Sequence, residues 1–385
     1  MNERPRNEGN ATEEEQPVHN EIPEPMTPGG KRFLRLWAAG VLLLYLVGGY
    51  LGVRTLRGYA AEDRRIQQAR LESVTSGPKV LLPSPPPGER PVDVAAGVYL
   101  NRISELAIKE SAWTADFNLW FRWSGDTLSP GEDFRVVNGQ VQLREKLESS
   151  ASGAERYEEY RVIARMMKEF DPSCFPFGYV GLLVEVEDAA HGVETLRYVA
   201  DECNSGVAAE AMMRSVKLIR SMVGVTTRSS RAGLAQPGKP DGSRRVHPQL
   251  FFAILGMPAG FSIYLRLFQA LFASVAVALI TLYIKPIHID CRFGLPVGGF
   301  FAAVANNVFV ATLLPVADRL TLSDMVNRAS LLTIFLVLVQ SVISLYIFDT
   351  MGRERLARIF DRVSFALLLA GYVAVNLALP LAARP

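Results

Sequence analysis

Four apolar segments crowd into the last third of this chain, near residues 261–284, 295–314, 329–349 and 363–380. Each is close to the ~20 residues that cross a hydrocarbon core, so four membrane helices are expected at the C-terminal end. The second is the most informative. Between Gly294 and Pro315 it carries Gly294, Gly298 and Gly299 and the adjacent Asn306 and Asn307, where a lipid-facing helix is more naturally filled with Leu, Ile and Phe. Small residues let helix backbones approach closely, and polar residues inside a membrane face other helices or a water-filled path. This segment therefore raises the question of a pore. At about 100° per residue, Gly294, Gly298, Phe301, Ala305, Val308 and Thr312 share one stripe, and a second rotation groups Gly299, Ala303, Asn306 and Val310. Pro296 falls in the first turn of the expected helix, where a missing N–H is tolerated.

The remainder divides by composition. Residues 1–32 are polar, proline-bearing and acidic at Glu13, Glu14 and Glu15, which predicts a disordered cytoplasmic tail. Residues 33–53 are apolar and flanked by Lys31, Arg32 and Arg54, as in a retained N-terminal transmembrane anchor; cleavage near Ala60-Ala61 is the alternative. Residues 54–91 read as a linker, charged and helical to Glu72, then proline-rich at Pro83, Pro85, Pro86 and Pro87. Residues 92–258 are polar and strand-rich, and 259–385 hold the four helices. Arg353, Arg355, Arg358 and Arg362 form the strongest positive cluster beside any span, which places that loop in the cytoplasm. Counting back puts the 92–258 domain outside and the N-terminus inside, in a multi-pass plasma (inner) membrane protein, although Arg54, Arg57, Arg64 and Arg65 pull weakly the other way. A net charge of +2 gives no bulk electrostatic case for nucleic acid.

In the external domain, Asp116 to Trp123 alternates. Phe117, Leu119, Phe121 and Trp123 share a core face, and Asp116, Asn118, Trp120 and Arg122 lie on the other. Trp120 among polar groups suits a subunit interface, or else covers its own sheet. Further strands are expected at 159–170, 180–187, 215–227 and 246–255, with Ser104–Glu110 as a connecting turn and 228–245 as a long basic hairpin loop. The fold class expected is an α+β membrane protein: an extracellular antiparallel β-sandwich, then a four-helix transmembrane bundle, with one added N-terminal helix. Cys174 and Cys203 are either a disulfide or two thiols, and Cys291 is a free thiol. His19, His191, His247 and His288 are scattered and no enzyme motif occurs, so neither catalysis, a cofactor nor a metal site is expected; His191 reads as an exposed turn imidazole.

Val92-Asp93-Val94, Asn101-Arg102-Ile103 and the run Ala115 to Trp123 look like a paired first and second strand of a known type. Phe175-Pro176-Phe177 looks like a junction-loop signature, and a helix opening near Arg292 and closing at Leu314-Pro315 follows. In this order, over roughly residues 92–380, the chain resembles the pentameric ligand-gated ion channels of the Cys-loop receptor superfamily, and their prokaryotic branch in particular. The resemblance implies a homopentamer in a lipid bilayer, gated by an unknown small ligand or by protons. It places the stripe of Gly294, Gly298, Phe301, Ala305, Val308 and Thr312 on the channel axis, with Asp290 as a carboxylate ring at the inner mouth favouring cations and Arg292 beside it opposing. It makes Phe175, Pro176 and Phe177 the domain-coupling loop, and Trp120 and Arg122 part of an inter-subunit ligand site. Three features depart from the pattern. Gly178 stands where the loop's aspartate belongs, Leu255 to Pro258 replace the arginine before the first helix, and the partners Asp116 usually has at the junction are missing. These departures keep a second reading open, a non-conducting membrane sensor or scaffold of the same architecture.

Overall fold

The computed structural model describes residues 28–75, 90–212, 216–231, 244–258 and 260–384. Its first element, α1 (Pro28–Thr75), is one continuous helix, so the apolar stretch 33–53 runs without a break into the charged stretch after it. The proline-rich segment around Pro83 to Pro87 and most of the N-terminal tail lie outside the described residues, as does Lys239 of the basic loop.

Ten strands follow in two sheets among the described residues. One contains β1 (Val92–Ala107), β2 (Ala112–Ser124), β4 (Gly139–Ser152), β5 (Glu155–Met167), β7 (Leu196–Ala200) and β8 (Gly206–Val207), ordered β4-β5-β2-β1-β7 with β8 also on β1. The other runs β3 (Phe134–Val136), β6 (Val180–Asp188), β10 (Arg244–Pro258), β9 (Val216–Arg231), and the short helix α2 (Pro130–Asp133) precedes β3. Both sheets contribute to one hydrophobic core: Phe117, Leu119, Phe121 and Trp123 of β2 meet Val184 and Val186 of β6 and Phe252 of β10 in it. Pairing is antiparallel except where β7 and β8 run parallel to β1.

Several expectations shift. Ser104 to Ala107 belongs to β1, and the turn comes at residues 108–111, where Ser111 takes a positive φ of 53°. Arg228, Arg231, Arg244 and Arg245 are paired in β9 and β10, not in a loop, and residues 232–243 between them lie outside the described residues. Strand β4 has no counterpart in the expectations. It is exposed almost throughout, an edge strand held by backbone pairing to β5 rather than by a buried face, and so it lacks the apolar alternation that marks β2.

The chain ends in α3 (Gly260–Ile280), α4 (Ile289–Leu313), α5 (Leu322–Asp349) and α6 (Glu354–Ala382). With α1 these are five helices long and apolar enough to cross a membrane, which marks a membrane protein. The start of α1 packs on α6 through Phe33 and Trp37 against Phe360. Its later turns reach the α4–α5 connection, where Glu62 pairs with Arg319 at 2.7 Å. The described N-terminus and the arginines opening α6 therefore share one end of the helices, and the β-sheets join the other.

Candidate functional site

Helix α4 begins at Ile289, earlier than the apolar run suggests, and this puts Pro296 inside it rather than in its first turn. The ring there leaves the Arg292 carbonyl without its helical donor. The inward face of α4 carries Arg292, Pro296, Gly299, Ala303, Asn306 and Val310, all buried. Gly299 is a required close approach, since a Cβ there would lie 3.0 Å from the Ser274 carbonyl oxygen of α3. Asp290, Gly294, Gly298, Phe301, Ala305, Val308 and Thr312 are all exposed on the other side. Phe301 and Val308 are 68% and 61% exposed. The two stripes weighed from the sequence thus divide, the asparagine-bearing one against the protein's own helices and the Phe301 one away from them.

Arg292 sets this rotation. Its guanidinium is fully buried and donates to both carboxylate oxygens of Asp361 on α6, at 3.1 and 2.6 Å, and to the Ile284 carbonyl at 2.9 Å. Gln340 of α5 donates to the same carboxylate at 2.6 Å. Arg292 therefore does not oppose Asp290 at the helix mouth; two residues along a helix is about 200° of rotation, and Asp290 is exposed. The signal in the sequence was Asp361 and Gln340, two polar groups in apolar helices that each demand a partner.

Where the sheets meet the helices, the loop after β5 inserts between them. Phe177 is buried, its ring 5.8 Å from Tyr264 of α3, and the Phe175-Pro176 peptide is cis. Gly260 opens α3 beneath this loop because a Cβ there would come within 2.5 Å of the Phe177 ring. The Ser173 carbonyl accepts from the Leu322 N–H of α5 at 2.9 Å, and Asp63 of α1 accepts from the Tyr179 N–H at 3.4 Å. Helices α1, α3 and α5 thus all touch one short loop. Cys174, buried in it, is a free thiol that burial first, and then the carboxylates of Asp171 and Asp63, push up to about 12. Cys203 is exposed and also free, so the disulfide alternative is not realised.

Asp116 finds a partner within its own sheet. Arg161 of β5 clamps its carboxylate with hydrogen bonds of 3.1 and 2.7 Å. Those bonds first, against the opposing effect of burial and with the charge of Arg161, hold the Asp116 carboxyl below the usual carboxylate range. A lowered folded-state pKa means stability that is complete above the unfolded value near 4 and is lost as pH falls through the folded value. Arg161 is substantially exposed, so solvent screens the pair and Asp116→Asn is expected to destabilise the protein by only about 1 kcal/mol at pH 7. Thermal unfolding in detergent from pH 7 to pH 3 checks this: the gap between the two proteins stays constant above about pH 5 and closes below about pH 4.

The polar face of β2 opens into a cleft of about 410 Å³. Its walls are Tyr99 of β1, Asn118, Trp120 and Arg122 of β2, Tyr157 and Glu159 of β5, and Asp201 and Asn204 after β7. Trp120 is mostly covered, lying across Gly97, and its indole N–H donates to Asp201 at 3.3 Å. Arg122 is exposed at the rim. Asn118 and Tyr157 both donate to Glu159, at 2.7 and 3.1 Å. Burial, and then the Glu159 charge, raises the Tyr157 phenol to about 12. Burial disfavours the Asp201 carboxylate, but hydrogen bonds from Asn204 and Trp120 together outweigh it and keep its pKa low. The cleft is thus a polar recess with aromatic walls and two charged carboxylates. Trp120 and Arg122 came from the sequence; Tyr99, Tyr157 and Asp201 did not, because three separate segments bring them there.

No family model matches the sequence, and no curated protein matches it either.

Proposed function

We propose that the protein is a homopentameric ion channel, cation-selective and gated by a small ligand or by protons, in which residues 92–258 form an extracellular or periplasmic β-sandwich and the four C-terminal helices form a pore bundle. The observation that carries this reading is the outward face of α4. A membrane helix that buries one stripe against its own chain and leaves Asp290, Gly294, Gly298, Phe301, Ala305, Val308 and Thr312 uncovered needs either lipid or further copies against that face. Its glycines and threonine suit neighbouring helices and a lumen better than lipid. With Arg292 occupied by Asp361, Asp290 is left as the ionic group of that face. The exposed edge strand β4, with Val141, Leu143 and Leu147 at its surface, supports assembly through the sheets as well. The number five and the gating role of the β2 cleft come from the resemblance alone. The shared end of α1 and the α6 arginines supports a cytoplasmic N-terminus at the plasma (inner) membrane.

The test combines current and access. Purified protein in planar bilayers, screened over pH and small ligands, is expected to pass cations, and Ala305→Cys is expected to be modified by a permeant thiol reagent while Asn306→Cys is protected. Modification at Asn306 and not at Ala305 removes the assigned pore face. A monomer or dimer by mass defeats the channel, and silence from a verified pentamer favours the non-conducting sensor.

A further inference from the structure

Independently of the helices, the end of β6 carries a group of side chains that the cleft and the junction do not use. Asp188, the last residue of β6, is fully buried; its Oδ1 accepts from the backbone N–H groups of Ala190 and His191, at 3.0 and 2.6 Å, and contacts His191 Nδ1 at 3.2 Å. Its Oδ2 is sealed from solvent and has no hydrogen-bond partner among the described residues. Asp133, at the end of α2, approaches the same point, and one ligand atom each from Asp133, Asp188 and His191 lie within 4.8 Å of one another. His191 is therefore not the plain turn imidazole that the sequence suggests.

Two features separate this group from an ordinary acidic surface. Among the described residues no lysine or arginine pairs with either aspartate, whereas the neighbouring Glu187 takes both Arg135 and Arg228. The Tyr198 hydroxyl of β7 is also buried without a partner among the described residues. A buried carboxylate oxygen left unsatisfied among the described residues, in a group that no lysine or arginine pairs with, leaves room for a cation. Asp133 and His191 are only half-buried, so the site opens to solvent.

We propose that Asp133, Asp188 and His191 bind a divalent cation of the zinc class. Two carboxylates and an imidazole are a zinc-type donor set with a fourth position for water, and calcium, which takes six to eight oxygens, finds too few here. Bonds of about 2 Å place tetrahedral ligand atoms roughly 3.3 Å apart, so no pair has to close by more than about 1.5 Å, a side-chain adjustment. The cation ties the β6–β7 turn to α2 across two segments of chain and neutralises the buried Asp188.

Zinc titration of the chelator-stripped full chain in detergent, against a competing fluorescent indicator, is the test. One Zn²⁺ per chain is expected, with affinity weakened roughly tenfold or more in both Asp133→Asn and His191→Ala, at least the loss typical of outer-shell changes. Asp188→Asn is expected to abolish binding, and if it does not fold the other two variants carry the result. His288→Ala combined with Cys291→Ser controls for the other histidine–cysteine pair and is expected to bind as the parent does. No saturable zinc, unchanged affinity in Asp133→Asn and His191→Ala, loss in the control, or displacement of zinc by equal calcium each overturns the site.

Discussion

Asp361→Ala is expected to destabilise the protein by about 3–5 kcal/mol, among the largest effects of any single change outside the sheet core. The reason is what it leaves behind. Arg292 is fully buried and, among the described residues, its guanidinium has only Asp361 and the Ile284 carbonyl to satisfy it, with Nε already unpartnered. Removing the carboxylate strands a full charge between α4, α5 and α6, where water is not at hand to replace it. Gln340 loses its acceptor at the same time. The pair itself need not be a source of net stability, because desolvating two ions costs several kcal/mol before their attraction offsets it. The double variant Arg292→Met with Asp361→Leu is therefore expected to recover most of the loss. Thermal unfolding in detergent of the parent, Arg292→Met, Asp361→Leu and the double variant, as a double-mutant cycle, reads the coupling. Equal destabilisation by the single and double variants would show that packing, not charge, holds the three helices. The double variant is also informative for rotation: without the ion pair, α4 keeps its small inward face at Gly299 and Ala303 but loses the polar contact that fixes its angle, so protection at Asn306→Cys is expected to weaken.

The parts of this fold that could be read in the sequence are those with a buried face. Phe117 to Trp123 alternates because one side of β2 is core, and the four C-terminal spans stand out because apolar length is itself the signal. Strand β4 could not be read this way, since Gln140 to Ser152 is largely exposed and is held by the ladder with β5 and by Arg144 and Lys146 reaching over Phe134 and Tyr160. The apolar run marks α4 only from residue 295 for a related reason: Ile289 to Phe293 is not continuously apolar, yet Arg292 is drawn into the helix by an acceptor 69 positions away. Periodicity could isolate two faces of α4 but not rank them. That ranking depends on Asp361 and on the 3.0 Å approach of Gly299 to α3, both tertiary facts. The cleft around Trp120 was half visible for the same cause, one strand being readable and the loop at Asp201 not.

Phe301→Ser is expected to raise resting ion flux through reconstituted protein at least roughly tenfold, the equivalent of about 1.4 kcal/mol taken from a closed barrier. The proposed lumen carries apolar rings at Phe301 and Val308, separated by the small Ala305. An apolar constriction can block ions without closing to contact, because water drains from a narrow hydrophobic passage and an ion cannot follow unhydrated. A serine hydroxyl supplies both a donor and an acceptor, and its smaller volume widens the ring, so both effects favour wetting. Val308→Ser should act in the same direction with a smaller change, since less volume is removed. Phe300→Ser is the control: Phe300 is adjacent in sequence but about 100° around the helix and 37% exposed, against 68% for Phe301, so its loss should leave the resting flux unchanged. Flux is measured in liposomes by a cation-sensitive dye, with oligomer mass checked for each protein. Equal leak from Phe300→Ser and Phe301→Ser points to loosened assembly rather than a wetted gate, and no leak from Phe301→Ser in an intact oligomer takes Phe301 off the axis. Phe301 is largely exposed and its ring meets Phe300 at 6.3 Å, a contact that both variants break, so a rise in flux from Phe301→Ser alone points to the place where copies of α4 face one another.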